Sequence, residues 1–170
     1  MKKSELIRRK NKLKKTANFR YLKYAQYTCI LIIVLFLVYV VGLSSAYGQS
    51  YEELLSTNPM VITGFIICTA NLYVWWVLKH FNVDIEKFEN IESIRINLII
   101  LCICQFFLLN FVSVVLMILS LVKYFQWKQF SWKQSLKELK ADGQLAVLIM
   151  TIGVMLLFVA LVFTLFFAII

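Results

Sequence analysis

The chain has 170 residues, 61% of them hydrophobic, and a formal net charge of +9. Its mean hydropathy of +0.79 lies well outside the range of soluble domains, in which about half of the residues are apolar. An ordinary water-soluble domain is therefore excluded. The apolar residues are gathered into four stretches that lack Asp, Glu, Lys and Arg: 24–51, 54–78, 96–122 and 143–170. Each exceeds the roughly 20 residues with which a helix crosses a ~30 Å hydrocarbon core. Alternating ten-residue segments are absent, which leaves helices as the spanning solution. The expected fold class is all-α: a polytopic transmembrane four-helix bundle with a basic N-terminal arm and a short interfacial amphipathic helix between spans 3 and 4.

The arm is 1–24. Ten of the 18 Lys and Arg residues fall in the first 23 positions, so the positive charge describes an arm rather than a basic globular surface. Because the arm runs straight into an apolar stretch, its expected partner is the anionic lipid headgroup, not nucleic acid. Lys10, Lys12, Lys14 and Lys15 are the candidate headgroup contacts.

Residues 25–170 are expected to form one transmembrane domain. The first span is 25–46. Ser44, Ser45 and Ala46 resemble a signal cleavage site, but the charged region before the span and the span itself are both longer than those of a signal peptide. GQSYEELLSTNPM follows, with Ser50 and Glu53 spaced as a capping box. Asn58 is placed to N-cap the second span, 59–78, with Pro59 at its first position. Tyr73, Trp75, Trp76, Lys79 and His80 mark the far interface of that span. Gly64, Cys68, Asn71 and Trp75 share one of its faces. HFNVDIEKFENIESIR is an acidic connector.

The third span, 96–122, would be about 40 Å long as one helix, longer than the core is thick. Asn110, Ser113, Met117 and Ser120 share a face, with Gln105 nearby. An amide in mid-membrane requires a partner, and Asn71 is the expected one for Asn110. Within 123–143, Ser131 and Gln134 form a capping box, so a helix starts at Trp132. Trp132, Leu136 and Leu139 make its apolar face. Lys133, Lys137 and Lys140 lie beside them, the pattern of a helix lying in the headgroup region. The fourth span is 144–170, in which Ala146, Gly153 and Ala160 recur every seven residues, as close-packing membrane helices require.

Basic residues set orientation. With the N-terminus in the cytoplasm and four spans, 13 Lys and Arg lie inside and five, Lys123 to Lys140, lie outside. Three spans, with the second apolar run not crossing, would give 15 against three. That alternative leaves a well-capped 25-residue apolar run out of the bilayer.

Catalytic chemistry is not visible. There is one histidine, His80, no HExxH pair, no Gly-rich phosphate loop, and no Asp, Glu, Lys, Arg or His inside a span. The four cysteines all fall within spans, so neither a disulfide nor a zinc site is expected. The expected protein is a non-enzymatic, multi-pass plasma-membrane protein without cofactor or metal. It serves as an accessory, immunity-type or interaction subunit, in a larger membrane complex or as a homo-oligomer. Lysine outnumbers arginine 14 to 4, which points to an AT-rich bacterial genome. Gly64, Asn71, Gln105, Asn110, Ser113, Gly153 and Ala160 are the expected packing or polar-interior residues. The alternative is a transport component or channel with a bundle interior lined by Asn71, Gln105 and Asn110.

Overall fold

The structure, a computed structural model, describes residues 20–87, 91–125, 132–141 and 145–169. Among them there is no strand. Seven helices follow in order: α1 (Arg20–Tyr47), α2 (Tyr51–Thr57), α3 (Pro59–Lys87), α4 (Ile91–Phe107), α5 (Phe111–Tyr124), α6 (Trp132–Ala141) and α7 (Leu145–Ile169).

Three of them are long and apolar enough to cross a membrane, over Arg20–Tyr47, Pro59–Glu86 and Leu145–Leu165. The third apolar run departs from expectation. It is not one helix over 96–122 but two shorter apolar ones, over Ser93–Phe107 and Phe111–Tyr124. Three long helices and a pair of half-length ones replace the expected four-helix bundle.

The signals before α3 act locally. Ser50 Oγ accepts from the Glu53 N–H at 3.2 Å and so starts α2. Asn58 Oδ1 accepts from the N–H groups of Met60 and Val61 at 3.0 and 3.3 Å. Two orphan donors of α3 are thereby satisfied, and Pro59 removes a third. The connection is short, so α3 returns antiparallel to α1. Near the Arg20 end Lys23 meets Glu86 at 3.0 Å, and Asn82 Nδ2 donates to Gln26 Oε1 at 3.0 Å.

The half-length helices fold back on each other. The Arg95 guanidinium, at the start of α4, sits over the Phe125 ring just past the end of α5, 5.5 Å from its centroid. α5 also runs antiparallel to α1. The rings of Tyr124 and Tyr21 lie 6.1 Å apart, and Ser113 Oγ lies 3.9 Å from Cys29 Sγ. α4 therefore starts at the Arg20 end, turns after Phe107, and α5 comes back to the same end. α7 runs parallel to α4, with Ile96 packed in one cluster with Leu148 near the start and Phe107 against Phe163 further on, 5.9 Å between ring centroids. Tyr73 OH donates to Thr151 Oγ1 at 3.3 Å and fixes α7 to α3.

The neighbour relations close a ring, α1–α3–α7–α4–α5–α1. That ring exists only in the half of the molecule nearest Arg20. Beyond the hairpin turn only α1, α3 and α7 continue. Leu98, Leu101, Val74, Leu78, Met117 and Met155 fill the ring. Every buried polar side chain among the described residues lies at the Asn71–Asn110 level or on its Arg20 side.

Candidate functional site

The most distinctive local structure is the turn between α4 and α5. Leu109 adopts a left-handed conformation with φ 59°. Its N–H donates to Phe106 O at 3.1 Å, and the Asn110 N–H donates to Gln105 O at 3.0 Å. This is the Schellman arrangement, and it satisfies carbonyls that a helix end leaves open. Glycine normally takes the left-handed position. A leucine there is strained by about 1 kcal/mol.

Asn110 follows at once and starts the next helix. Its Oδ1 accepts from the Ser113 N–H at 3.2 Å, and its carbonyl accepts from the Val114 N–H at 3.1 Å. The same side chain reaches across to α3, where Nδ2 donates to Asn71 Oδ1 at 2.7 Å. Asn71 Nδ2 in turn donates to Ile67 O at 2.9 Å. Both amides are buried. One residue thus ends a turn, caps a helix and ties the hairpin tip to α3. Ser113, one turn on, faces Cys29 of α1. The turn is held from two sides, at about the middle of α3.

Gln105 differs. It lies on the inward stripe of α4 with Leu98, Leu101 and Leu108, and it is fully buried. Neither its Oε1 nor its Nε2 has a hydrogen-bond partner, and the Oδ1 atoms of Asn82 and Asn97 likewise have none. A buried unpaired amide is costly, on the order of 1–3 kcal/mol by mutational measures. The layer around the turn offers hydrogen-bond donors and acceptors. It offers no carboxylate, imidazole or ammonium for proton transfer, and among the described residues no three metal-ligating side chains converge.

The structure brings Asn71, Asn110 and Ser113 together and buries Gln105 in the same ring. Gly64 lies elsewhere, at the α1–α3 contact, where an added Cβ would run into the Phe36 ring. Gly153 and Ala160 are exposed, as is Ala146. α7 packs inward through Leu148, Thr151, Met155 and Val162 instead. Within the chain the small-residue repeat faces outward, and the larger residues of the opposite stripe fill the space against α3 and α4. α6 begins at Trp132. Its expected apolar face is divided, since Leu139 is buried while Trp132 and Leu136 are exposed, and Lys140 is exposed as well. Lys10, Lys12, Lys14 and Lys15, and the side chains of Lys133 and Lys137, lie outside the described residues.

Sequence reasoning missed the turn itself, because it contains neither Gly nor Pro. It also missed the Tyr73–Thr151 and Gln26–Asn82 contacts. Asn110, in the middle of an apolar run too long for the bilayer, was a readable N-cap signal. Comparison with protein-family models, with characterised proteins and with solved structures finds no match.

Proposed function

We propose that the chain is a non-enzymatic integral membrane protein that crosses the bilayer three times, through α1, α3 and α7, and carries α4–α5 as a re-entrant hairpin. The observation that carries this is the return of α5 to the Arg20 end. With that return, all 18 Lys and Arg residues belong to segments attached at one end of the molecule, the distribution the basic-residue rule favours. That end faces the cytoplasm and the C-terminus faces the opposite side. Leu139 packs with Ile96, so α6 lies beside the entry of the hairpin, with Trp132 and Leu136 exposed towards lipid.

The role is that of an interaction or accessory subunit of the plasma membrane. Its support is the outward stripe of Ala146, Gly153 and Ala160, since lipid-exposed small residues are where a second membrane helix approaches closely. Reporter fusions test the topology: one at Ser135 is active only in the cytoplasm, and one after Ile170 only outside. An external Ser135 reporter refutes the hairpin reading. Copurification in mild detergent tests the role, with Gly153→Leu reducing the recovered partner.

A second reading, a transport component, is favoured by one observation, the unpartnered Gln105 amide inside a polar half-bundle. Solute or ion flux in liposomes that Gln105→Leu abolishes would decide for it.

A further inference from the structure

Helix α6 is held by the bundle on one side. Ser135 and Leu139 are buried, and Leu139 shares a cluster with Ile96 of α4 and Leu148 of α7. Ile96 follows Arg95, whose guanidinium lies over the Phe125 ring, so α6 sits at the charged end of the bundle. The Lys23–Glu86 and Lys123–Tyr21 contacts lie at that same end. Successive residues of a helix turn by about 100°. Counted from Leu139, Trp132 lies about 20° round α6, Leu136 about 60°, Lys140 about 100°, Lys133 about 120° and Lys137 about 160°. Trp132 and Leu136 are about half exposed, and Lys140 is exposed. Round the helix the order is therefore bundle contact, apolar, cationic. Glu138 lies about 100° the other way. It is neither three nor four residues from any of these lysines, so no ion pair along the helix is spaced to offset them. Lys133, Lys137 and Lys140 are themselves four and three apart, the spacings at which like charges are unfavourable.

We infer that this surface of α6 docks on anionic phospholipid headgroups, with Trp132 and Leu136 seated at the boundary of the acyl chains. The inference deepens the membrane reading above and rests on it: it names the lipid that α6 prefers. Three features select an anionic lipid surface over a protein partner. The apolar stripe adjoins the bundle and the cationic stripe lies beyond it, which matches the order of hydrocarbon and headgroup beside a membrane protein. Two exposed apolar side chains fall far short of the roughly 800 Å² per partner that a stable protein interface buries. Three lysines on one stripe carry a mutual repulsion that negative headgroups offset and zwitterionic ones do not. Trp132 also suits this level, where amphipathic rings sit between headgroup and chain.

Electron paramagnetic resonance of the full chain in lipid nanodiscs tests this, with a nitroxide on Leu136→Cys. That position is about half exposed and the label is apolar, so the variant is tolerated; the native cysteines are buried. The discs hold dioleoylphosphatidylcholine alone or an equal mixture with dioleoylphosphatidylglycerol. Collisions with oxygen report a label docked in lipid, and collisions with a neutral nickel chelate report one in water. Phosphatidylglycerol raises the docked-to-free ratio. Each of Lys133→Gln, Lys137→Gln and Lys140→Gln lowers the ratio in the mixed discs about fivefold. Changing Lys10, Lys12, Lys14 and Lys15 of the arm to Gln together leaves it unchanged. Raising salt to about 1 M, where the Debye length is about 3 Å, removes the preference. An equal ratio in the two kinds of disc overturns the inference. So does a ratio that follows the arm lysines and ignores those of α6. Spin–spin broadening that unlabelled chain dilutes away would make a second copy the occupant and would equally overturn it. Nanodiscs expose both faces, so the result stands or falls independently of which compartment α6 occupies, which the reporter fusions decide.

Discussion

Replacing Asn110 probes the turn most directly, because one side chain performs two separable tasks. Asn110→Ala removes the N-cap of α5, worth about 0.5–2 kcal/mol. It also removes the 2.7 Å bond to Asn71, and bonds between membrane helices are worth about 0.6–2 kcal/mol. Asn71 keeps its contact to Ile67, but its Oδ1 loses its donor, which adds part of the roughly 1–3 kcal/mol expected for an orphaned polar atom. These terms overlap, so about 2–4 kcal/mol is the expected loss. Asn110→Ser separates them, because a serine oxygen still caps but cannot span to α3. It should lose about 1–2 kcal/mol, the share of the cross-helix bond. Unfolding is followed by circular dichroism or tryptophan fluorescence in a mild detergent titrated with a denaturing one. A double-mutant cycle with Asn71→Ala isolates the pair, with an expected coupling of about 1 kcal/mol. Wild-type stability of Asn110→Ala, or additive effects of the two alanine variants, would refute the reasoning.

Other expectations follow from the same geometry. Leu109→Gly relieves the left-handed strain and raises stability by up to about 1 kcal/mol, whereas Leu109→Val lowers it, both read in the same titration. Gly64→Val meets the Phe36 ring and costs about 1–3 kcal/mol by overpacking; adding Phe36→Ala recovers part of the loss. Gln105→Leu replaces an amide with no partner by an apolar side chain of similar size, so it stabilises by about 1–2 kcal/mol if the amide serves no ligand. Lys140→Cys, at an exposed position of α6, resists a membrane-impermeant thiol reagent in whole cells and reacts with a permeant one. The four native cysteines are buried, which keeps the background low.

The elements that carry strong local signals were legible. Asn58–Pro59 starts α3 and Ser50 starts α2, because capping is decided within four residues of sequence; α6 begins at Trp132, where it was expected. The three long helices follow from the length and polarity of their runs. What composition could not resolve was whether an uninterrupted apolar run is an uninterrupted helix. Residues 96–122 contain no Gly and no Pro, so hydropathy reads one span. The break depends on a leucine in a conformation that leucine disfavours, held by an asparagine whose partner lies 39 positions earlier in the chain. That is tertiary information. The weaker hints were present: a run too long for the bilayer, an N-cap residue in its middle, and five lysines after it. The outward face of α7 was illegible for a related reason. A repeat of small residues says that a helix can be approached closely, but not whether the approaching helix belongs to the same chain.

The lysines from Lys123 to Lys140 and the break at Leu109 are two sides of one choice. A single helix over 96–122 would leave five lysines on the side opposite the arm, against the bias that sets topology. A hairpin keeps them on the arm's side but must end one helix and begin another in hydrocarbon, where each unsatisfied backbone group costs several kcal/mol. The structure lowers that cost at the turn. Carbonyls of Gln105 and Phe106 are taken by the Schellman bonds, the Ser113 N–H by Asn110, and the remaining Asn110 amide hydrogen-bonds to Asn71. The left-handed Leu109 adds about 1 kcal/mol of strain. In the proposed orientation, Asn110 is thus a topological residue as well as a packing one. Removing it raises the cost of the turn while leaving the cost of translocating the lysines unchanged. Asn110→Leu should therefore move part of the population towards a fully crossing third run, with Ser135 outside and Ile170 inside. Adding two lysines near Ser135 should oppose that shift. The paired reporters read both effects in one strain series. If Asn110→Leu destabilises the protein in detergent without altering either reporter, the turn is set by the lysines alone.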